Sequence, residues 1–229
     1  MGYFDEVDNE VMKESEKNDF GAIPSSMNKL EIQNAYIIEG TGENKDGTPK
    51  KSKALFVNVK LESGKFHTEA LWFKSGKGIS TYTDKKSGKQ KYLPSFISMG
   101  YLFAACGLDM NQEQPAVKTV KHFGKDIQAP VFENMLGKRI ECGIRETLED
   151  DYNNPSLSTS GNEISYYGTL EGFSGKEVRD KATEKKDRAS WEKMIAKKPV
   201  KDARKVSKGV NPDEAQAASE SAGEAVSSW

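Results

Sequence analysis

The segment KALFVNVKLESG constrains the fold of this chain more than any other. Leu55, Val57, Val59 and Leu61 fall on one parity, and Phe56, Asn58, Lys60 and Glu62 on the other. That period of two is the mark of a strand with one buried face. Glu62-Ser63-Gly64-Lys65 makes a tight connection into KFHTEALWFK, so these two strands are expected to form a hairpin. Upstream, MNKLEIQNAYIIEG sets Leu30, Ile32, Tyr36 and Ile38 on one parity and ends in the turn-rich GTGENKDGTPKK.

Downstream, SGKGISTYTDKKSGKQKYLP is long, basic and rich in turn residues, and reads as a mobile hairpin or finger. SFISMGYLFAACGLDM has the apolar spacing of a buried helix, with Pro94 in its first turn and Gly107 ending it. Residues 111–131 read as an irregular connector carrying Lys118, Lys121, His122 and Lys125. In RIECGIRETLED, Ile140, Cys142 and Ile144 alternate with Arg139, Glu141 and Arg145. The polar loop DYNNPSLSTSGN then leads to a last strand, EISYYGTLEGF. Five strands with one helix between the third and fourth give a mainly β chain in the order of the five-stranded OB barrel. In that barrel the helix plugs the bottom, and PSFISMGYLFAACGL is apolar enough to do so.

Only 35% of the residues are hydrophobic and 30% are charged, with a mean hydropathy of −0.73, so the packed core is expected to be shorter than the chain. Seven acids against Lys13 and Lys17 mark residues 1–22 as an acidic arm, with a short helix around Glu6 to Lys17. The barrel domain is expected over 23–175. Residues 176–209 form a basic, partly helical segment, its helical patch at Arg188 to Lys197 carrying Trp191, Met194 and Ile195. Residues 210–229 hold Asp213, Glu214, Glu220 and Glu224, no positive charge, and a final Trp229, which reads as a disordered acidic tail. On composition, everything after 175 is removable.

Charge is unevenly spread. The whole chain carries −1, yet residues 50–92 hold eleven lysines against Glu62, Glu69 and Asp84. Phe56, Phe66, Trp72, Phe73, Tyr82 and Tyr92 are interleaved with them. Lysines release counterions from phosphates, and aromatic faces stack on unpaired bases, so the combination suits a single strand held without sequence readout. It falls on the second and third strands and their loops, which form the binding face of OB folds. The expected contacts to single-stranded DNA are Phe56, Lys60, Trp72, Lys74, Lys77, Tyr82, Lys85, Lys86, Lys89, Lys91, Tyr92, Arg139 and Arg145.

Three runs, LPSFISMGYLFAACGLDM, LGKRIECGIRETLEDDYNN and NEISYYGTLEGF, resemble phage-encoded single-stranded DNA-binding proteins of the OB class, over about residues 20–175. The resemblance rests on a helix ending in a CGL-like turn before an LGK strand with apolar alternation. It implies an OB fold, coverage of single strands in phage replication or recombination, and a C-terminal tail that recruits replication or recombination enzymes. Tails of that kind end in a dense acidic run and Phe. This one is sparsely acidic and ends in Trp229, the candidate partner contact.

Several residues carry two readings. Trp72 shares a face with Phe66, Ala70 and Lys74 and is either a stacking residue or part of a minor core. Phe56 lies opposite the apolar parity of its strand and is expected to be exposed. Tyr82 and Tyr92 contact a strand or pack within the basic hairpin. Of Tyr166 and Tyr167, which split faces, one belongs to the core. Arg139 and Arg145 point outward, to phosphates or to solvent. Leu55, Val57, Val59, Ile140 and Ile144 are core.

Enzymatic chemistry finds little support in the sequence. His67 and His122 are the only histidines, and neither has ligands at metal spacing. No phosphate-binding glycine loop or nucleophile elbow occurs. The cluster Glu149, Asp150 and Asp151 reads as a solvated turn rather than a metal-dependent nuclease centre. Cys106 and Cys142 are expected to be buried, reduced thiols. No cofactor, metal or membrane partner is implied, and the expected location is the cytoplasm, of the host cell if phage-encoded. The competing reading is an OB-like barrel that binds another protein as a scaffold.

Overall fold

The computed structural model describes residues 23–151 and 154–205. The acidic arm at 1–22, positions 206–209 and the tail at 210–229 with Trp229 lie outside the described residues. The fold is mainly β. The chain divides into two compact units, one of Ser25–Arg145 with Glu163–Pro199, the other of Glu146–Asn162 with the described residues of Met1–Pro24 and Val200–Trp229.

The five strands read from sequence are present as β1 (Ser26–Glu39), β2 (Lys53–Leu61), β3 (Phe66–Lys74), β8 (Arg139–Asp150) and β9 (Ser158–Gly168), the last starting inside the stretch read as a polar loop and ending before TLEGF. In the larger unit β1 is the central strand, antiparallel to β2 on one side (Ile32 opposite Val59, Ile37 opposite Leu55) and to β8 on the other (Leu30 opposite Ile140). β3 continues the sheet beyond β2, and β9 pairs with β8. The hydrogen-bonded path is open, because β3 pairs with β2 alone and β9 with β8 alone. Across that gap Glu69 Oε2 on β3 accepts the Ile164 N–H of β9 at 3.0 Å.

The helix α1 (Pro94–Ala105) begins with Pro94 in its first turn, where the missing N–H costs no intrahelical bond. It ends in a Schellman pair, Leu108 N–H to Phe103 O at 2.9 Å and Gly107 N–H to Ala104 O at 3.0 Å. Its Met99, Leu102 and Phe103 are buried, and the helix packs on β3.

The strand count departs from five. The basic loop forms a separate two-stranded ribbon, β4 (Thr81–Thr83) and β5 (Gln90–Tyr92). The stretch read as an irregular connector is a second hairpin, β6 (Ala116–His122) and β7 (Lys125–Val131), with Val131 opposite Tyr36 of β1. Its Val120, Ala129 and Val131 close over Tyr36, Ala54 and Phe56. The outer face of β1 and β2 is therefore a second buried layer.

The segment after 175 does not detach from the folded unit at that point. Ser174 caps α2 (Gly175–Arg179) through a reciprocal pair, its hydroxyl taking the Glu177 N–H at 3.0 Å and Glu177 Oε2 taking the Ser174 N–H at 2.7 Å. α3 (Asp187–Lys197) covers the helical patch read from sequence and buries Trp191 and Ile195 against Tyr166. Trp191 lies so close to the backbone of β8 that a Cβ on Gly143 would stand 2.4 Å from its ring. Only glycine fits there. The indole N–H donates to Ser165 Oγ at 2.9 Å. Composition hid this because a helix of 11 residues here needs only two buried apolar side chains.

In the smaller unit, β10 (Val200–Asp202) runs parallel to the end of β8, with Val200 opposite Glu146. Asn162 clamps the backbone of Ile23 through both its amide oxygen and nitrogen, at 2.7 and 2.6 Å. No helix of the described residues is long and apolar enough to cross a membrane.

Candidate nucleic-acid interface

The register of β2 and β3 puts Ala54 opposite Trp72, Phe56 opposite Ala70, Asn58 opposite Thr68 and Lys60 opposite Phe66. Directly opposed residues of an antiparallel pair share a face. The other face, with Leu55, Val57, Val59, Leu61, Leu71 and Phe73, is core. On the outer face two aromatics stay open, Phe66 at 69% exposure and Trp72 at 44%. Between them Thr68 Oγ1 donates to Asn58 Oδ1 at 3.3 Å, making a polar floor. The Lys60 ammonium stands 5.9 Å from the centre of the Phe66 ring, within cation–π range.

Lysines gather at the Trp72 end. The loop after β1 is fastened to the loop after β3, Lys51 N–H to Gly76 O at 2.8 Å and Asn44 Nδ2 to the same oxygen at 3.2 Å. That bond brings Lys50, Lys51 and Lys77 onto adjoining loops. Lys53 and Lys74 are directly opposed across the strands, an arrangement that costs stability unless an anion is shared. Glu39 neutralises Lys53 at 2.6 Å, and that lysine holds the Glu39 carboxyl below its ordinary range. Lys74, half-buried, has no carboxylate partner among the described residues.

The β4–β5 ribbon carries Tyr82, 41% exposed, and the exposed Lys85, Lys86 and Lys89. Lys91 is paired with Asp84 at 2.7 Å, and Asp84 also accepts from the Ser87 hydroxyl at 2.7 Å. The lysine and then the hydroxyl hold the Asp84 carboxyl below the usual range. Tyr92 stacks on Phe96 of α1 with ring centres 4.9 Å apart, leaving its other face open. Packing on the helix, not within the hairpin, thus covers one face of Tyr92.

Two expected contacts are corrected. Phe56 is 7% exposed, not open. It stacks on Tyr36 at 5.8 Å and meets His122 edge-on at 4.8 Å, under the β6–β7 hairpin. Strand alternation reports which residues differ in facing, and it cannot detect a second covering layer. Arg145 does not reach outward either. Its Nη2 donates to the Lys198 carbonyl at 3.2 Å just past α3, and its Nε is buried. Arg139 is exposed and 3.3 Å from Glu62 across the β1 end of the sheet. Tyr166 and Tyr167 are both buried, and burial raises both phenols above their ordinary value.

Other reactive groups are occupied or inert. His67 Nε2 lies 3.1 Å from Glu69 Oε2, the carboxylate that also takes the Ile164 N–H. Burial pushes the Cys106 and Cys142 thiols up to about 12. No group of three His, Cys, Asp or Glu side chains that could hold a metal occurs among the described residues. Sequence reasoning missed Phe123, at the tip of β6–β7 and 84% exposed. The signal was there: His-Phe-Gly-Lys between two short alternating runs is a two-residue hairpin with glycine second. Compared with known proteins, the chain matches no family model and no curated protein.

Proposed function

We propose that the protein binds single-stranded DNA without sequence readout, as phage-encoded proteins of replication and recombination do, in the cytoplasm of the cell that carries the DNA. The observation that carries the reading is the outer face of β3. Phe66 and Trp72 stand open there among lysines, in a sheet whose other large apolar side chains on β2 and β3 are buried. Exposed aromatics with basic neighbours are what unpaired bases and their phosphates require. The strand order β1, β2, β3, α1, β8, β9 supports an OB-type barrel as its frame, with the Glu69–Ile164 bond on the seam.

Binding proceeds in two parts. Lys50, Lys51, Lys74, Lys77 and the ribbon lysines attract phosphates, releasing counterions, so affinity falls steeply with salt. Bases then stack on Trp72 and Phe66, each stacked base contributing about 1–3 kcal/mol. The acids of 210–229 and Trp229 extend the proposal to a docking tail for replication or recombination enzymes. Anisotropy titration of fluorescein-labelled oligo-dT and a matched duplex, over a salt series, tests it. The expected result is strong preference for the single strand and a linear fall of log affinity with log salt. Equal affinity for both would reduce the reading to general charge attraction. Binding to neither would favour a protein-binding barrel.

A further inference from the structure

The β6–β7 hairpin turns on two residues, since His122 and Lys125 are directly opposed. Phe123 has φ +46° and Gly124 φ +78°. Both positive values make a turn that favours Asn, Asp or Gly at its first position, where a bulky side chain is held at a conformational cost. Nothing is recovered by burial, because Phe123 is 84% exposed. Strain kept at an exposed aromatic points to use rather than to packing.

The ring is not loosely held. It lies 4.4 Å from the His122 ring and 6.3 Å, edge-on, from Phe56. His122 is fixed in turn by Tyr36, whose hydroxyl stands 3.2 Å from Nδ1. Tyr36, Phe56, His122 and Phe123 form a file of four rings, of which the last alone is open. Phe56 belongs to the outer face of β2, in the same row as Asn58 and Lys60. The open ring therefore adjoins the face that carries Phe66 and Trp72, and Lys121 and Lys125 beside it are exposed.

We propose that Phe123 is a base-stacking platform for a single strand on that face, with Lys121 and Lys125 meeting the neighbouring phosphates. The inference rests on the single-strand reading above and adds to it a contact on an element outside β2 and β3. Its test uses the full chain, labelled oligo-dT, and the variants Phe123→Asn, Phe123→Leu and Phe123→Trp. Asn suits the left-handed backbone, so its thermal midpoint should match or exceed that of the parent, while its affinity falls about tenfold. Leu keeps apolar bulk without a π face and should lose affinity to a similar degree. Trp should retain it. The salt slope should stay unchanged in all three, since no phosphate contact is removed. If the parent binds oligo-dT and Phe123→Leu binds equally well, the platform is overturned and the single-strand reading stands. If the parent does not bind, both fall. A drop in affinity that tracks a drop in thermal midpoint across the variants would assign Phe123 to the fold and overturn the platform.

Discussion

The β6–β7 and β4–β5 hairpins carry the same kinds of residue, lysines with an exposed aromatic, and are built in opposite ways. β6–β7 is pinned by Val120, Ala129 and Val131 in a shared core with Tyr36, Ala54 and Phe56. β4–β5 has no buried residue among its paired positions, and Asp84 holds its turn through Lys91, Ser87 and the Lys86 N–H. One hairpin depends on the rest of the molecule. The other depends on its own turn and on the Tyr92–Phe96 stack. An aromatic that must meet a base at a fixed angle belongs on the first kind, and charge that acts over a Debye length can sit on the second.

The largest effect should come from the joint between β6–β7 and the sheet. Phe56→Ala removes a buried ring from that layer and is expected to destabilise the fold by about 3–5 kcal/mol, read as a fall in the denaturation midpoint. Were Phe56 a stacking residue instead, affinity for oligo-dT would fall and the midpoint would stay. Trp72→Ala should do the reverse, weakening oligo-dT binding by about 1–3 kcal/mol with the midpoint nearly unchanged and the protein's fluorescence quench on binding reduced. A collapse of the fold would make Trp72 a packing residue.

For the ribbon, replacing Lys85, Lys86 and Lys89 together by Gln is expected to lower the salt slope by at most about three units, one per phosphate contact, with thermal stability unchanged. An unchanged slope would remove the ribbon from the interface. The smallest effect is pH-dependent. The folded carboxyl of Asp84 titrates below its ordinary 3.8 because Lys91 and Ser87 bond its charged form. Its contribution is therefore present above that value and lost as pH falls through the lower, folded one. The amide protection factors of Tyr82 and Lys91, the hydrogen-bonded pair of the ribbon, should fall in that range while those of Val120 and Ala129 hold. Equal behaviour of the two hairpins would erase the contrast.

The parts legible in the sequence are those that a single buried face can encode. β2, with its alternating Leu55 to Leu61, and α1, bracketed by Pro94 and Gly107, fall where the pattern puts them. β6–β7 was not legible because its apolar positions are few and separated by lysines, and Pro115 and Pro130 mimic loop punctuation. Its function as a cover for Phe56 depends on contacts 60 or more positions away, which no local period records. Trp191 presents the same difficulty in a charged helix. The glycine that receives it, Gly143, lies 48 residues earlier in a strand whose alternation gives no sign of the partner. For the interface, the lysine and aromatic excess located β3 and its loops, and which aromatics remain open was decided by the second layer.

The bond from Glu69 to Ile164 has a mechanical meaning. A ladder between two strands yields only when several amide bonds break together, whereas β3 and β9 share no ladder and the Glu69 carboxylate, which also meets His67, reaches across between them. The open side of the sheet thus lies on the flank of the same strand that presents Phe66 and Trp72. Unpaired strand edges invite foreign strands to add to them, and the Glu69 side chain lying across this one blunts it against such a neighbour.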